Sequence, residues 1–141
     1  MNDNATIQPY VFFDGKCEEA IEFYKRAVGA KVHMLMRYKD APPEAQVNLV
    51  HGSGDKVMHA TLQIGQSIVL VADGQCGGSP KFEGFALSLT VKTPAEVDQA
   101  FQALSEGGQV VMPAGETFFC KRFGMLNDKF GVMWMVLVTP Q

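Results

Sequence analysis

Hydrophobic and polar positions along this chain alternate with two periods, and the order of those periods repeats. In the stretch Gly84–Lys92, Phe85, Leu87, Leu89 and Val91 fall on one side while Ala86, Ser88 and Thr90 fall on the other. That two-residue period is the signature of a strand. Val97, Ala100, Phe101 and Leu104 then recur at helical spacing, and Gly107-Gly108 ends the run. The helix has a clear start: Thr93 and Glu96 form a capping box, in which the threonine accepts from the Glu96 N–H and the glutamate reaches back to the Thr93 N–H. Pro94 sits at the first helical position, where its missing N–H is harmless. Earlier in the chain, Ala20, Ile21, Tyr24, Ala27 and Val28 form an equivalent stripe, stopped by Gly29.

These patterns predict strand Ile7–Phe13, helix Cys17–Val28 and strands near Lys31–Tyr38, Lys56–Ile64 and Ser67–Ala72. They then predict strand Phe85–Val91, helix Pro94–Glu106 and strand-like runs that end in Gly131–Val138. Phe13–Ala20 can be laid over Val91–Val97 with one extra residue, and Gly65–Val71 over Gly131–Leu137 without a gap. The chain is therefore expected to be a tandem βαβββ repeat at a spacing of ~70 residues, the kind of internal period sought before any other feature. The expected fold class is α+β, with curled mixed sheets around a cleft and the helices on the outer face. One domain, 1–141, would hold modules at about 7–73 and 85–138. Lys39–Asp55 is a long excursion, and loops beyond ~12–15 residues tend to be functional. Asp73–Gly84, rich in glycine, links the modules.

Alternation also assigns faces. Pro9, Val11 and Phe13 should meet the first helix, leaving Gln8, Tyr10 and Phe12 on the other side with His59, Thr61 and Gln63. A non-helix face built from His, Thr, Gln, Ser and Tyr, rather than Lys and Glu, points to a lined hollow.

Composition narrows the partners. The 141 residues suit one domain, 47% of them are apolar, and the net charge is only −3. No basic stripe offers a nucleic-acid footprint. No apolar run approaches the ~18 residues that cross a membrane. The polar start Met1-Asn2-Asp3-Asn4 lacks the pattern of a signal peptide, so a cytoplasmic location is expected. Cys17, Cys76 and Cys120 show no metal or redox spacing and read as free thiols.

The residues carry a family resemblance. Pro9–Gly15, Cys17–Tyr24, Met58-His59-Ala60, Glu116–Phe119 and the closing Asn127–Trp134 together resemble the vicinal-oxygen-chelate superfamily of glyoxalases, bleomycin-resistance proteins and extradiol dioxygenases, and within it the PhnB-like branch. The similarity covers roughly residues 7–138. Metal-using members of the superfamily draw four ligands, usually His and Glu, from the first and last strands of each module. By the register above those positions are Gln8, Val69, Ala86 and Met135. Such a set cannot supply the several N or O donors that a divalent metal needs, so no metal is expected there. No glycine-rich strand-to-helix turn for an adenosyl cofactor is present, and no cofactor is expected.

What remains are candidates for acid–base or binding chemistry. His59 lies mid-strand on the inferred hollow, as a catalytic imidazole or a hydrogen-bonded structural one. Glu116 precedes Phe118-Phe119, where apolar surroundings could raise its pKa, though residue-burial trends favour a surface glutamate. Cys120 adjoins Lys121-Arg122, whose charge favours a thiolate, but no histidine neighbours it in sequence. A zinc site from His33, His51 and His59 has no recognised ligand spacing.

The expected function is binding of an aromatic or apolar small molecule, lined by Gln8, Tyr10, Phe12, Thr61, Ser88, Phe118, Phe119 and Met135. The alternatives are a metal-independent enzyme using His59 and Glu116, or an assembly protein. Open sheet edges, together with the resemblance, imply a homodimer.

Overall fold

The computed structural model describes residues 2–45, 54–74 and 80–139. His51 and Cys76 lie outside the described residues, as do residues 46–53 of the Lys39–Asp55 excursion and 75–79 of the Asp73–Gly84 link. The chain divides into two compact units, one of Met1–Lys25 and Gly29–Pro80, the other of Arg26–Val28 and Lys81–Gln141.

The first unit holds β1 (Tyr10–Phe12), helix α1 (Cys17–Val28) up to Lys25, β2 (Lys31–Arg37), β3 (Val57–Ile64) and β4 (Ser67–Ala72). Its sheet runs β1-β4-β3-β2, with β1 parallel to β4 and the other pairs antiparallel. The second unit holds β5 (Leu87–Val91), helix α2 (Pro94–Ser105), β6 (Gln109–Gly115), β7 (Phe123–Asn127) and β8 (Met133–Val138). Its sheet runs β5-β8-β7-β6 with the same pattern of directions. Two four-stranded mixed sheets, each with one helix among the described residues, make this an α+β fold. The βαβββ order is the one the hydrophobic pattern predicts.

Several ends differ from expectation. β1 begins at Tyr10 rather than Ile7, β5 at Leu87 rather than Phe85, and β8 at Met133 rather than Gly131. Apolar residues extend past the ladder in each case. At the α2 cap, Thr93 Oγ1 accepts from Glu96 N at 3.2 Å as predicted. The Glu96 carboxylate, however, takes the Thr93 hydroxyl proton at 3.0 Å instead of reaching the backbone N–H. Gly29 closes α1 in the left-handed conformation, φ 67°, which glycine adopts without a Cβ penalty.

Alternation sorts the sheet faces as the pattern requires. Val11, Phe13, Ala60, Leu62, Ile64, Val69 and Val71 are buried in the first unit, and the Phe13 ring meets Tyr24 of α1. In the second, Leu126, Trp134 and Val136 are buried, and Gly124 lies directly under Phe101 of α2. Pro113 is confined to β6, an edge strand with register shifts, where a missing N–H costs no central ladder bond.

Pairing corrects one register. Tyr10 stands beside Leu70, whereas Ser88 stands beside Met135. The equivalent of Met135 is therefore Leu70, not Val69, which turns into the buried face. The cause is a difference in hairpin length. Ile64 and Ser67 flank a two-residue turn, while Asp128 N bonds to Val132 O across three residues. A gapless alignment of Gly65 on Gly131 misplaces everything beyond the turn by one position, and one position in a strand exchanges faces.

Candidate functional site

The non-helix face of the first sheet gathers the leading candidates. β1 contributes Tyr10 and Phe12, which are 40% and 51% exposed. Their rings stack with centroids 4.7 Å apart at an interplanar angle of 11°, as two-residue spacing on one strand allows. β3 contributes His59 and Thr61 on the same face. The Tyr10 hydroxyl lies 2.7 Å from His59 Nδ1, and Thr61 Oγ1 lies 3.3 Å from His59 Nε2. Burial, and after it the influence of Cys17, pushes the Tyr10 hydroxyl up from its ordinary pKa, so it stays protonated at neutral pH. In cross-strand register, Leu70 and Met34 flank Thr61, and Met36 flanks His59. The face is therefore a small polar chain set in aromatic and thioether surroundings.

His33, beside a register shift in β2, hydrogen-bonds through Nε2 to Gln63, whose amide donates to the Gly65 carbonyl at 2.9 Å. These two residues brace the hairpin end of the sheet. Gln8 lies exposed before β1, where the adjacent Pro9 carbonyl accepts from Leu70 N.

The second sheet presents a different lining. Ser88, Met135, Met125 and Met112 form one row across all four strands, with Met133 on the same face. Sequence reasoning reached Ser88 and Met135 but not the row, because cross-strand neighbours are invisible until the sheet order is known. Thioether side chains adapt to irregular shapes and favour contact with aromatic rings.

Glu116, Phe118, Phe119 and Cys120 occupy the segment between β6 and β7, around a hollow of about 220 Å³. Phe118 is fully exposed and Glu116 is exposed, so neither has the buried setting expected of an aromatic-lined carboxylate. Cys120 is 6% exposed, and its Sγ lies 3.0 Å from the Arg122 and Val138 carbonyls. The Arg122 guanidinium that was expected to activate it instead pairs with Asp98 at 2.7 Å. Cys17 is fully buried at the start of α1, and burial, then Asp73 and Glu18, push its thiol far above the usual range. Because thiolate is the reactive form and both sulfurs are shielded, neither should react in the native state. Iodoacetamide mapping at pH 8 should leave Cys17 and Cys120 unmodified until denaturant is added; rapid native labelling of Cys120 would restore it as a nucleophile.

A second hollow of about 310 Å³ in the first unit is rimmed by Glu18, Glu19, Glu22, Asp55 and Lys56. Glu18, Glu22 and Asp55 are already engaged in ion pairs. Glu18 pairs with Arg37, whose hydrogen bond holds the carboxyl below its usual range, and Asp55 is lowered in the same way by Lys39. Asp73, at its base, accepts from Cys17 N and Val57 N at 2.8 and 2.7 Å. Among the described residues, no group of three His, Cys, Asp or Glu is placed to hold a metal ion. With Leu70 in place of Val69, the positions that the resemblance singles out are Gln8 and Leu70 in the first unit and Ala86 and Met135 in the second, and of these side chains only that of Gln8 carries an oxygen. Among the described residues no helix is long and apolar enough to cross a membrane.

The profile of the family described as 3-demethylubiquinone-9 3-methyltransferase matches residues 5–137. Protein YjdN of Escherichia coli K12 is 32% identical over 96% of both chains. The crystal structure of PA1353 from Pseudomonas aeruginosa is 35% identical, covering 96% of this chain and 98% of that one, with a TM-score of 0.83. The PhnB protein of Bacillus cereus is 29% identical over 96% of this chain and 100% of its own, with a TM-score of 0.78. A glyoxalase/bleomycin resistance protein/dioxygenase domain from Frankia shares the fold at 16% identity and a TM-score of 0.62, over 97% of this chain and 98% of its own.

Proposed function

We propose a small-molecule binding function for this chain, which belongs to the family described as 3-demethylubiquinone-9 3-methyltransferase, the PhnB-like branch of the vicinal-oxygen-chelate superfamily. The ligand is planar and aromatic or apolar, and it lies on the non-helix face of the first sheet against Tyr10 and Phe12. The observation that carries this reading is the stacked, half-exposed Tyr10–Phe12 pair beside a hydrogen-bonded imidazole. Exposed aromatic rings forgo the roughly 1.5–3 kcal/mol that full burial of such a side chain provides, and a bound ring recovers part of it. Thioethers from Met34 and Met36 widen the range of shapes the face can accept.

The reading includes no metal and no cofactor. It also includes a homodimer, since β1 and β2 leave the first sheet with two open edges and β5 and β6 do the same for the second. The Tyr10–His59 hydrogen bond favours one alternative, a metal-independent enzyme in which His59 moves a proton.

Native mass spectrometry of protein purified without chelator tests these points at once. The expected result is a species of about twice the 15.4 kDa chain, carrying a small-molecule adduct and well under one equivalent of Zn, Ni, Fe or Mn. A clean monomer removes the dimer, and a stoichiometric metal removes the metal-free site. Protein that carries no adduct and also fails to take up 2-isopropenylnaphthalene, a planar apolar probe, removes the binding function.

A further inference from the structure

The hydrogen bonds around His59 contain one proton more than they use. Tyr10 Oη meets Nδ1 at 2.7 Å and Thr61 Oγ1 meets Nε2 at 3.3 Å. With the imidazole neutral, the three groups hold three protons: one phenolic, one on a ring nitrogen and one on the threonine. Two hydrogen bonds consume two of them. If Tyr10 donates to Nδ1, then Nε2–H donates to Thr61 and the threonine proton points outward. If Thr61 donates to Nε2, then Nδ1–H donates to Tyr10 and the phenolic proton points outward. With the imidazole doubly protonated, both hydroxyls accept from it and both point a proton outward. Every state therefore leaves at least one hydroxyl donor facing away from the chain. Neither hydroxyl has another hydrogen-bond partner among the described residues.

We infer that this triad is a two-ended donor, and that the ligand of the proposed site carries an acceptor oxygen, a carbonyl or carboxylate, on its planar body. This rests on the binding function proposed above and names the ligand's chemistry. The ring body stacks on Tyr10 and Phe12 while the oxygen meets the spare proton. Flipping the imidazole tautomer moves that proton between the β1 end and the β3 end of the triad. One site can thus follow an acceptor placed at either end, so ligands with differently placed carbonyls bind the same face.

The test uses two isosteric probes, 2-acetonaphthone and 2-isopropenylnaphthalene, which differ in C=O against C=CH2. Both should bind the full-length protein in a calorimetric or fluorescence titration, with the ketone favoured about fivefold, the return on one net hydrogen bond. Tyr10→Phe, His59→Phe and Thr61→Val should each keep at least half of that preference, since each leaves a donor in place. Only the triple variant should bind both probes alike. Equal binding of the two probes by wild type overturns the acceptor inference and leaves the binding function standing. Binding of neither overturns both. Loss of the whole preference in any single variant overturns the two-ended donor in favour of one fixed hydroxyl or imidazole. Should the triple variant fail to fold, wild type and the three single variants decide the matter.

Discussion

Asp128→Ala is expected to cost about 4 kcal/mol of unfolding free energy, because it leaves several buried donors without an acceptor. Asp128 is 3% exposed at the end of β7. Its Oδ1 accepts from Phe130 N at 2.9 Å and Val132 N at 3.1 Å, and its Oδ2 accepts from Trp134 Nε1 at 2.9 Å. One carboxylate thus closes the three-residue turn and ties it to the largest side chain of β8. Each donor left unsatisfied in a buried place costs about 1–3 kcal/mol. For a chain of this length the loss corresponds to a fall in Tm of about 12 °C, read by calorimetry or circular dichroism. Asp128→Asn turns an amide NH2 toward the indole N–H and should recover part of the loss. Trp134→Phe removes that indole donor, so the two changes combined should cost less than their sum. Simple additivity would show that the indole contact contributes little.

Gly108→Ala is expected to cost about 3 kcal/mol, although Gly108 is half-buried and lies outside the sheets. A Cβ there would overlap the Asn127 carbonyl oxygen and lie 2.8 Å from the Asp128 carbonyl carbon and 3.0 Å from its Cα. All three are backbone atoms at the end of β7, so no side chain can swing aside. The glycine is required by close approach, not by its own dihedral angles. Gly115→Ala is the control: nothing lies within 4 Å of its Cβ position, and its stability should change by less than about 0.5 kcal/mol. Equal effects at the two positions would mean that the loss comes from glycine as a residue type rather than from crowding at Gly108.

These two positions show how a motif legible in the sequence acquires its cause. Asn127–Trp134 contributed to the family resemblance, yet nothing in its composition shows that Asp128 is the acceptor at the turn. That depends on β7 and β8 pairing so that Val132, Phe130 and Trp134 all present donors to one carboxylate. Asp73 behaves similarly: it reads as the start of a linker, but it bonds Cys17 N, 56 residues away, and Val57 N, which fixes α1 to the sheet.

Local sequence determined what depends on local physics. The helical stripes, the Thr93 cap with Pro94, the stop at Gly29 and the two-residue alternation of β3 and β5 specify two helices and the face of every residue on those strands. The same alternation puts Tyr10, Phe12, His59 and Thr61 on one surface. Tertiary structure decided what depends on partners distant in the chain. Strand pairing replaced Val69 with Leu70, because a turn one residue longer shifts the register and exchanges the faces. Packing buried Cys120 and drew Arg122 to Asp98, whereas sequence proximity alone had set that cation beside the thiol. Sheet order assembled the row of Ser88, Met135, Met125 and Met112, and only the approach of β1 through β4 to β3 brought the Tyr10 hydroxyl to His59. A hydrogen bond across 49 residues is a property of the folded sheet.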